Sequence, residues 1–361
     1  MQAIFSVTVP FFALILAGYL AARHRILPLD AVPGLNAFVL YFALPCMLFR
    51  FGATLPVREL FDPVVLGVYL LCALVIVAFT IAVTLKPPVG LKDAAFGALV
   101  AAFPNTGFMG VPLLVALLGP AAAGPTITTV LADLFVTSSL CIALASARHE
   151  LHTRPPSQID DIDSSMPADV MLVRPPSAAA QTRAAVFRSL RAALGNPLPW
   201  SIGLGAVISV TGLQLPGPVN SAIGMLANAA SPVALFTIGA VLWRAGQPHR
   251  PAHRGSLAAG RPPLPTPMSR YLPVALIKLL LHPFLVLMVG LSARSLGAPL
   301  SSFQLMVLVL AAALPSASNV SLLAERYGAD NGRIARIILA STVLAFGSFS
   351  ALAWLFGVQP R

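Results

Sequence analysis

Polar residues directly follow a proline in two apolar segments of the sequence, VAAFPNTGFMGVPLL around Pro104 and LAAALPSASNVSLL around Pro315. Proline removes a backbone donor and frees a carbonyl one turn earlier, so each segment exposes backbone groups that need water, ligand or side-chain partners. Amides, hydroxyls and half-helix N-termini at these breaks would suit an anion. The alternative is two ordinary proline kinks. The candidate substrate-binding residues are Pro104, Asn105, Thr106, Pro315, Ser318 and Asn319.

Ionisable residues are rare inside the apolar segments. Asp133 is the only carboxylate far from a segment end, with Thr129 one turn before it, and a charge at mid-membrane costs about 2.5–3.5 kcal/mol or more. This cost favours a role in carrying a proton or Na⁺ over a purely structural hydrogen bond. Lys278 is the single buried cation; it could partner Asp133, bind a substrate carboxylate or snorkel to the interface. His282, on the same helical face as Lys278, could relay protons near neutral pH, but the sequence favours a packed histidine.

The sequence predicts neither a metal site nor a disulfide. The three cysteines lie inside apolar segments without metal-ligand spacing. His149 and His152 have HxxH spacing but lack the HExxH order of zinc hydrolases. No cofactor is expected, and the only candidate ions are coupling ions, H⁺ or Na⁺.

The composition is that of an integral membrane protein. Hydrophobic residues make up 57% of the 361 residues and charged residues only 10%, against about 25% charged in soluble chains. A net charge of +11 would suggest a nucleic-acid partner in a soluble chain. Here the basic residues fall almost wholly between apolar segments, where they orient the chain in the bilayer. A nucleic-acid binder is therefore excluded, and the lipid bilayer is the expected environment.

Ten apolar segments are long enough to be transmembrane helices, each needing about 20 residues. Because a lone strand cannot satisfy its backbone in lipid, all ten are predicted to be helical, which makes the protein all-α. The predicted spans are 3–22, 32–53, 63–85, 94–118, 124–147, 196–214, 218–243, 271–293, 301–324 and 333–357.

The basic residues predict the orientation of these spans. With both termini external, 18 of the 23 lysines and arginines fall in internal loops. The first basic residue, Arg23, follows the first apolar segment, so that segment is an uncleaved span. We expect a multi-pass protein of the inner (plasma) membrane with both termini external.

A polar loop at 148–195 divides the chain into two sets of five spans, 1–147 and 196–361. This loop is predicted to be cytoplasmic and mobile, and a basic, proline-rich insert occupies 244–270. Pro45 and Pro232 interrupt the second span of each set, and the fourth is interrupted in both as well. An odd number of spans per set makes the repeat inverted, which is typical of secondary transporters with broken helices at a midplane site.

The segments LNAFVLYFALPCMLF, AAFPNTGFMGVPLL, ANAASPVALFTIGAVL, LIKLLLHPF and AAALPSASNVSLLAERYG resemble the auxin efflux carrier family, in its bacterial permease branch. The resemblance implies ten helices in inverted repeats, with the fourth and ninth crossing at their prolines. It also implies elevator-type alternating access, a homodimer and a small carboxylate-bearing organic anion as substrate. Polar support for the site is implied at Asn36, Asn228 and Ser231. The insert at 244–270 departs from the family pattern.

Other function classes remain as alternatives. A cation/proton antiporter or a carrier similar to bile-acid/sodium symporters would use similar broken helices, and so would a channel or receptor. An intramembrane aspartyl protease needs two deep carboxylates, and only Asp133 is deep. The sequence also lacks the GxSxG motif that would indicate a serine hydrolase. The protein is therefore not expected to be an enzyme.

Overall fold

The computed structural model describes residues 2–146, 194–245 and 267–359, together with Phe187, Arg191 and Gln247. Within them the regular structure is helical, apart from a single antiparallel bridge between Pro104 and Ser316. Most of the predicted loop 148–195, most of the insert 244–270, and the histidines at 149 and 152 lie outside the described residues.

Twelve helices account for the predicted spans in the described part of the chain. They are α1 (Gln2–Arg23), α2 (Leu29–Thr54), α3 (Pro63–Thr84), α4 (Leu91–Ala102), α5 (Thr106–Leu118), α6 (Pro120–Ser146), α7 (Pro197–Thr211), α8 (Gly217–Ala245), α9 (Leu272–Ser295), α10 (Ser302–Ala312), α11 (Asn319–Arg326) and α12 (Asn331–Leu355). Seven of them, α1, α2, α3, α6, α8, α9 and α12, are long and apolar enough to cross a membrane.

The prediction of an all-helical membrane protein is confirmed, and the fourth and ninth predicted spans each form two shorter helices. α4 and α5 share the segment 94–118, and α10 and α11 share 301–324. The chain leaves helical geometry at each break because Pro104 and Pro315 cannot continue the backbone ladder. α7, with 15 residues, is shorter than the 196–214 predicted for it.

Two close helix pairs form one part of the molecule, which we call the panel: α1 with α8, and α2 with α7. A side chain at Gly18 would overlap the Phe236 carbonyl oxygen, and one at Gly239 would overlap that of Ile15. Only glycine therefore allows the α1 and α8 backbones to approach this closely, as at small-residue interfaces of other membrane helices.

The α2–α7 pair is joined in the same way. A side chain at Gly52 would overlap the Ile202 carbonyl oxygen, and one at Gly205 would overlap that of Phe49. Each helix of the panel thus contributes one glycine to a backbone-to-backbone contact.

The remaining helices, α3–α6 and α9–α12, pack together and are called the bundle. Side-chain hydrogen bonds tie it at both ends. At one end, Asp62 caps the first turn of α3 and accepts a 2.8 Å hydrogen bond from Gln304 Nε2 of α10. At the other, buried Arg333 of α12 donates to the carbonyl oxygens of Asp93 and Arg270. These contacts hold the broken helices within one packed unit.

Candidate transport site

The two breaks cross each other and satisfy each other's backbone. The Asn105 amide nitrogen donates to the Pro315 carbonyl oxygen over 2.8 Å, and the Ala317 nitrogen donates to the Phe103 carbonyl oxygen over 3.0 Å. The sequence predicted that water, ligand or side chains would fill these backbone positions. In the structure, the backbone of each break instead hydrogen-bonds to the backbone of the other. The nearby side chains are therefore not needed as partners for these backbone groups.

Two helix N-termini meet at the crossing. α5 begins at Thr106 and α11 begins at Asn319, each directly after its break. Neither N-cap residue, Asn105 or Ser318, makes a side-chain cap hydrogen bond. First-turn amides and the partial positive charge of two helix dipoles are therefore directed at one place, which favours a bound anion.

The asparagine side chains at the crossing have no hydrogen-bond partner among the described residues. Asn105 is only 2% exposed, and its Oδ1 is fully buried, as is that of Asn319. The hydroxyl of Ser316 is also buried without a partner. A buried polar group left unpaired costs about 1–3 kcal/mol, so unpaired groups clustered at one crossing indicate a place for a ligand.

A cavity of about 310 Å³ adjoins the crossing, between the panel and the bundle. Its lining residues come from α2, the break after α4, the first turn of α5, α6, the start of α7 with the two residues before it, and α11. They are Asn36, Leu40, Tyr41, Phe103, Phe108, Leu134, Ser138, Ser139, Ile142, Gly195, Asn196, Pro197, Asn319, Leu322, Leu323 and Arg326. Asn319 lines the cavity directly, whereas Asn105 lies outside this lining. Arg326 is its one charged residue within the described part of the chain.

A second cavity of about 250 Å³ shares Asn36, Leu40, Tyr41 and Leu322 with the first. It continues to Arg244, at the end of α8. The two cavities together reach the end of the molecule where α2 and α7 begin. A third cavity, of about 370 Å³, lies near the end of α12 and contains none of the candidate site residues.

The other predicted site residues occupy different surroundings. Thr106 is fully buried and its hydroxyl lies 3.5 Å from the Pro104 carbonyl oxygen, while Ser318 is buried beside the crossing. Asn36 lines both cavities. Asn228 is exposed and Ser231 is half-buried, and neither lines these cavities.

Asp133 lies in a π-helical turn of α6 and accepts two side-chain hydrogen bonds. Tyr69 of α3 donates to Oδ2 over 2.6 Å, and Thr137 donates to Oδ1 over 3.0 Å. The Thr129 hydroxyl instead donates to the Thr126 carbonyl oxygen. Sequence reasoning missed both partners of Asp133. The spacing of four residues from Asp133 to Thr137 was a local signal, but nothing in the sequence indicates the contact with Tyr69.

Lys278 also lies in a π-helical turn, in α9, and it caps a broken helix. Its Nζ donates to the carbonyl oxygen of Ala312, the last residue of α10, over 2.8 Å and lies 3.1 Å from His282 Nδ1. A cation at a helix C-terminus opposes the negative end of the helix dipole. No direct ion pair joins Lys278 to Asp133 in the described residues. Tyr69, which contacts Asp133, and His282, which contacts Lys278, have ring centroids 6.0 Å apart.

The described residues contain no group of three or more histidines, cysteines or acids that could hold a metal ion. Cys46, Cys72 and Cys141 are free thiols.

The sequence is similar to several known membrane transport proteins. A family model described as "Membrane transport protein" matches residues 3–354. A "Putative malonate transporter" of Rhizobium meliloti (strain 1021) is 29% identical over 98% of this chain and 96% of its own. The "Uncharacterized transporter YfdV" of Escherichia coli (strain K12) is 25% identical over 96% of this chain and 95% of its own. "Auxin efflux carrier component 8" of Arabidopsis thaliana is 24% identical over 65% of this chain and 70% of its own.

The family model covers both helix sets and both breaks, so the similarity includes the whole candidate site. The resemblance to auxin efflux carriers is thereby confirmed, and the chain belongs to this family of membrane transport proteins.

Proposed function

We propose that the protein is a secondary active transporter of small carboxylate-bearing organic anions. The observation that carries the proposal is the pair of asparagines with unpartnered side chains at the crossing of two broken helices. Their amide groups can turn their NH₂ donors towards a carboxylate, and two helix N-termini add partial positive charge. The relative named as a malonate transporter supports a carboxylate substrate.

An inverted repeat of two five-helix sets is part of the proposal. Gly18 and Gly205 lie 187 positions apart, and so do Gly52 and Gly239. Pro45 and Pro232, in the second helix of each set, have the same separation. Because the helix-contact glycines and these prolines recur at the same separation, they support a structural repeat that relates the two five-helix sets. The breaks at Pro104 and Pro315 are 211 positions apart, because the segment 244–270 lies between.

Alternating access would follow from movement of the bundle against the panel. Glycine contacts fix the panel, while hydrogen bonds at both ends tie the bundle. The candidate cavity lies between these two units and reaches one end of the molecule. A rigid displacement of the bundle would carry the crossing towards the other end, which is the elevator type of transport.

Ion coupling is proposed at Asp133, with support from Thr129 and Lys278. The candidate ions are H⁺ and Na⁺. Asp133 is fully buried, accepts hydrogen bonds from two donors and forms no ion pair with any described lysine or arginine. The Thr129 oxygen keeps a lone pair for an ion, and Lys278 places its amino group at the end of α10.

The orientation and assembly are proposals as well. The basic residues favour external termini in an inner (plasma) membrane, with the cavity then facing the cytoplasm. A cysteine introduced by Ser164→Cys should be protected from an impermeant reagent in intact cells, and ready labelling would contradict this orientation. A homodimer is proposed from the family resemblance, with no nucleic-acid partner.

Counterflow in proteoliposomes tests the proposed function. Vesicles preloaded with an unlabelled mono- or dicarboxylate should take up the same labelled acid transiently above equilibrium, which a channel or receptor cannot do. Na⁺/H⁺ exchange without any organic acid would instead favour the cation/proton antiporter. Imposed proton, Na⁺ and voltage gradients then identify the coupling ion.

A further inference from the structure

We infer that Arg326 selects substrates with a second anionic group, so that short dicarboxylates are preferred over monocarboxylates of equal length. The inference rests on the proposed function, since it requires one carboxylate at the crossing. It adds a separate position for the other carboxylate at the far end of α11.

The arrangement of α11 supports this role. Asn319, Leu322, Leu323 and Arg326 all line the cavity, and their spacing places them on one face of the helix. Seven residues of α-helix rise about 10.5 Å, and helical side chains lean towards the N-terminus of their helix. An arginine at the last position therefore extends back towards the asparagine at the first. We expect a short molecule in the cavity to bridge these two side chains.

The chemistry of the cavity supports an anionic second group. Arg326 is the only charged lining residue in the described part of the chain. Its side chain is exposed and forms no hydrogen bond or ion pair with the described residues. Its neighbour Glu325 lines the second cavity and not the first. A guanidinium binds a carboxylate through two parallel hydrogen bonds. The apolar residues Leu322 and Leu323 between the two polar ends would contact the carbon chain of the ligand.

A different explanation is that Arg326 only raises the local concentration of anions. Steering of this kind depends on charge and not on the shape of the cation. It would be equal for arginine and lysine at this position. It would also be shared by Arg244, which lies at the same end of the molecule but lines only the second cavity. These differences separate binding from steering.

The test measures counterflow in proteoliposomes for two matched pairs, malonate with propionate and succinate with butyrate. The wild type should have a higher apparent affinity for the dicarboxylate of each pair. Arg326→Gln should weaken the apparent affinity for dicarboxylates about tenfold or more and leave monocarboxylates within about twofold. Arg326→Lys should lose most of the same preference, and the control Arg244→Gln should keep it.

Several results would overturn the inference. Unchanged dicarboxylate affinity in Arg326→Gln, or equal loss for both members of a pair, would remove Arg326 from substrate selection. Full activity in Arg326→Lys, or the same loss in Arg244→Gln, would leave only steering. If the wild type transports both members of each pair equally, the inference fails while the proposed function stands. If it transports none of them, both fail.

Discussion

Tyr69 donates a 2.6 Å hydrogen bond to Asp133, which joins α3 to the π-helical turn of α6. With the second bond from Thr137, both carboxylate oxygens have a donor although the side chain is fully buried. Within the described part of the chain, no lysine or arginine forms an ion pair with this buried acid.

If Asp133 couples ion movement to transport, Asp133→Asn should abolish accumulation of substrate against its gradient. The amide keeps the size of the side chain but cannot change its charge, so exchange of substrate at equilibrium should survive. Gradient-driven uptake and counterflow, compared in the same proteoliposomes, separate the two activities. Asp30→Asn, at an exposed position outside the bundle, is the matched control.

Asp133→Asn protein that still concentrates substrate, with normal pH and Na⁺ dependence, would make Asp133 a structural hydrogen-bond acceptor only. Size-exclusion chromatography of the detergent-solubilised variant shows whether it is folded, so that loss of coupling is not confused with loss of protein.

The close approach of α1 and α8 predicts that Gly239→Ala destabilises the panel. The added methyl group would overlap the Ile15 backbone, and overpacking of this kind typically costs about 1–3 kcal/mol. Gly203→Ala in α7 is the control, because no atom lies within 4 Å of the added group. That variant should be neutral or more stable by about 0.5–1 kcal/mol. Thermal unfolding in detergent measures both, and equal midpoints would contradict the contact.

The sequence predicts much of this fold because membrane helices leave a simple pattern. Apolar length located the helices to within a few residues at most ends, and Pro104 and Pro315 located both breaks. The interruptions predicted at Pro45 and Pro232 are wrong, because α2 and α8 continue through these prolines.

Sequence reasoning could not show that the breaks bond to each other, since the contact of Asn105 with Pro315 joins residues far apart in the chain. Nor could it find Tyr69 beside Asp133, because a tyrosine in an apolar helix has the same pattern whether it faces lipid or a carboxylate.

Part of the predicted site also depends on helix rotation, which the apolar pattern of a membrane helix does not specify. Asn36 and Asn228 were treated alike, yet Asn36 lines the cavities and Asn228 is exposed. By sequence, Lys278 could pair with Asp133, bind a substrate carboxylate or snorkel to the interface. In the structure its amino group instead contacts His282 and the last carbonyl oxygen of α10. Both outcomes depend on how whole helices pack.

We propose that the crossing of the two breaks binds the carboxylate of the substrate. The variants Asn105→Ala and Asn319→Ala test this binding. A hydrogen bond to a charged group contributes about 1.5–3 kcal/mol, so each variant should bind about ten- to a hundredfold more weakly. Apparent affinity is measured by counterflow in proteoliposomes, with the exposed Asn220→Ala as the matched control. The account predicts weakened affinity in both site variants, with folded protein in the membrane. Unchanged affinity in both would contradict it.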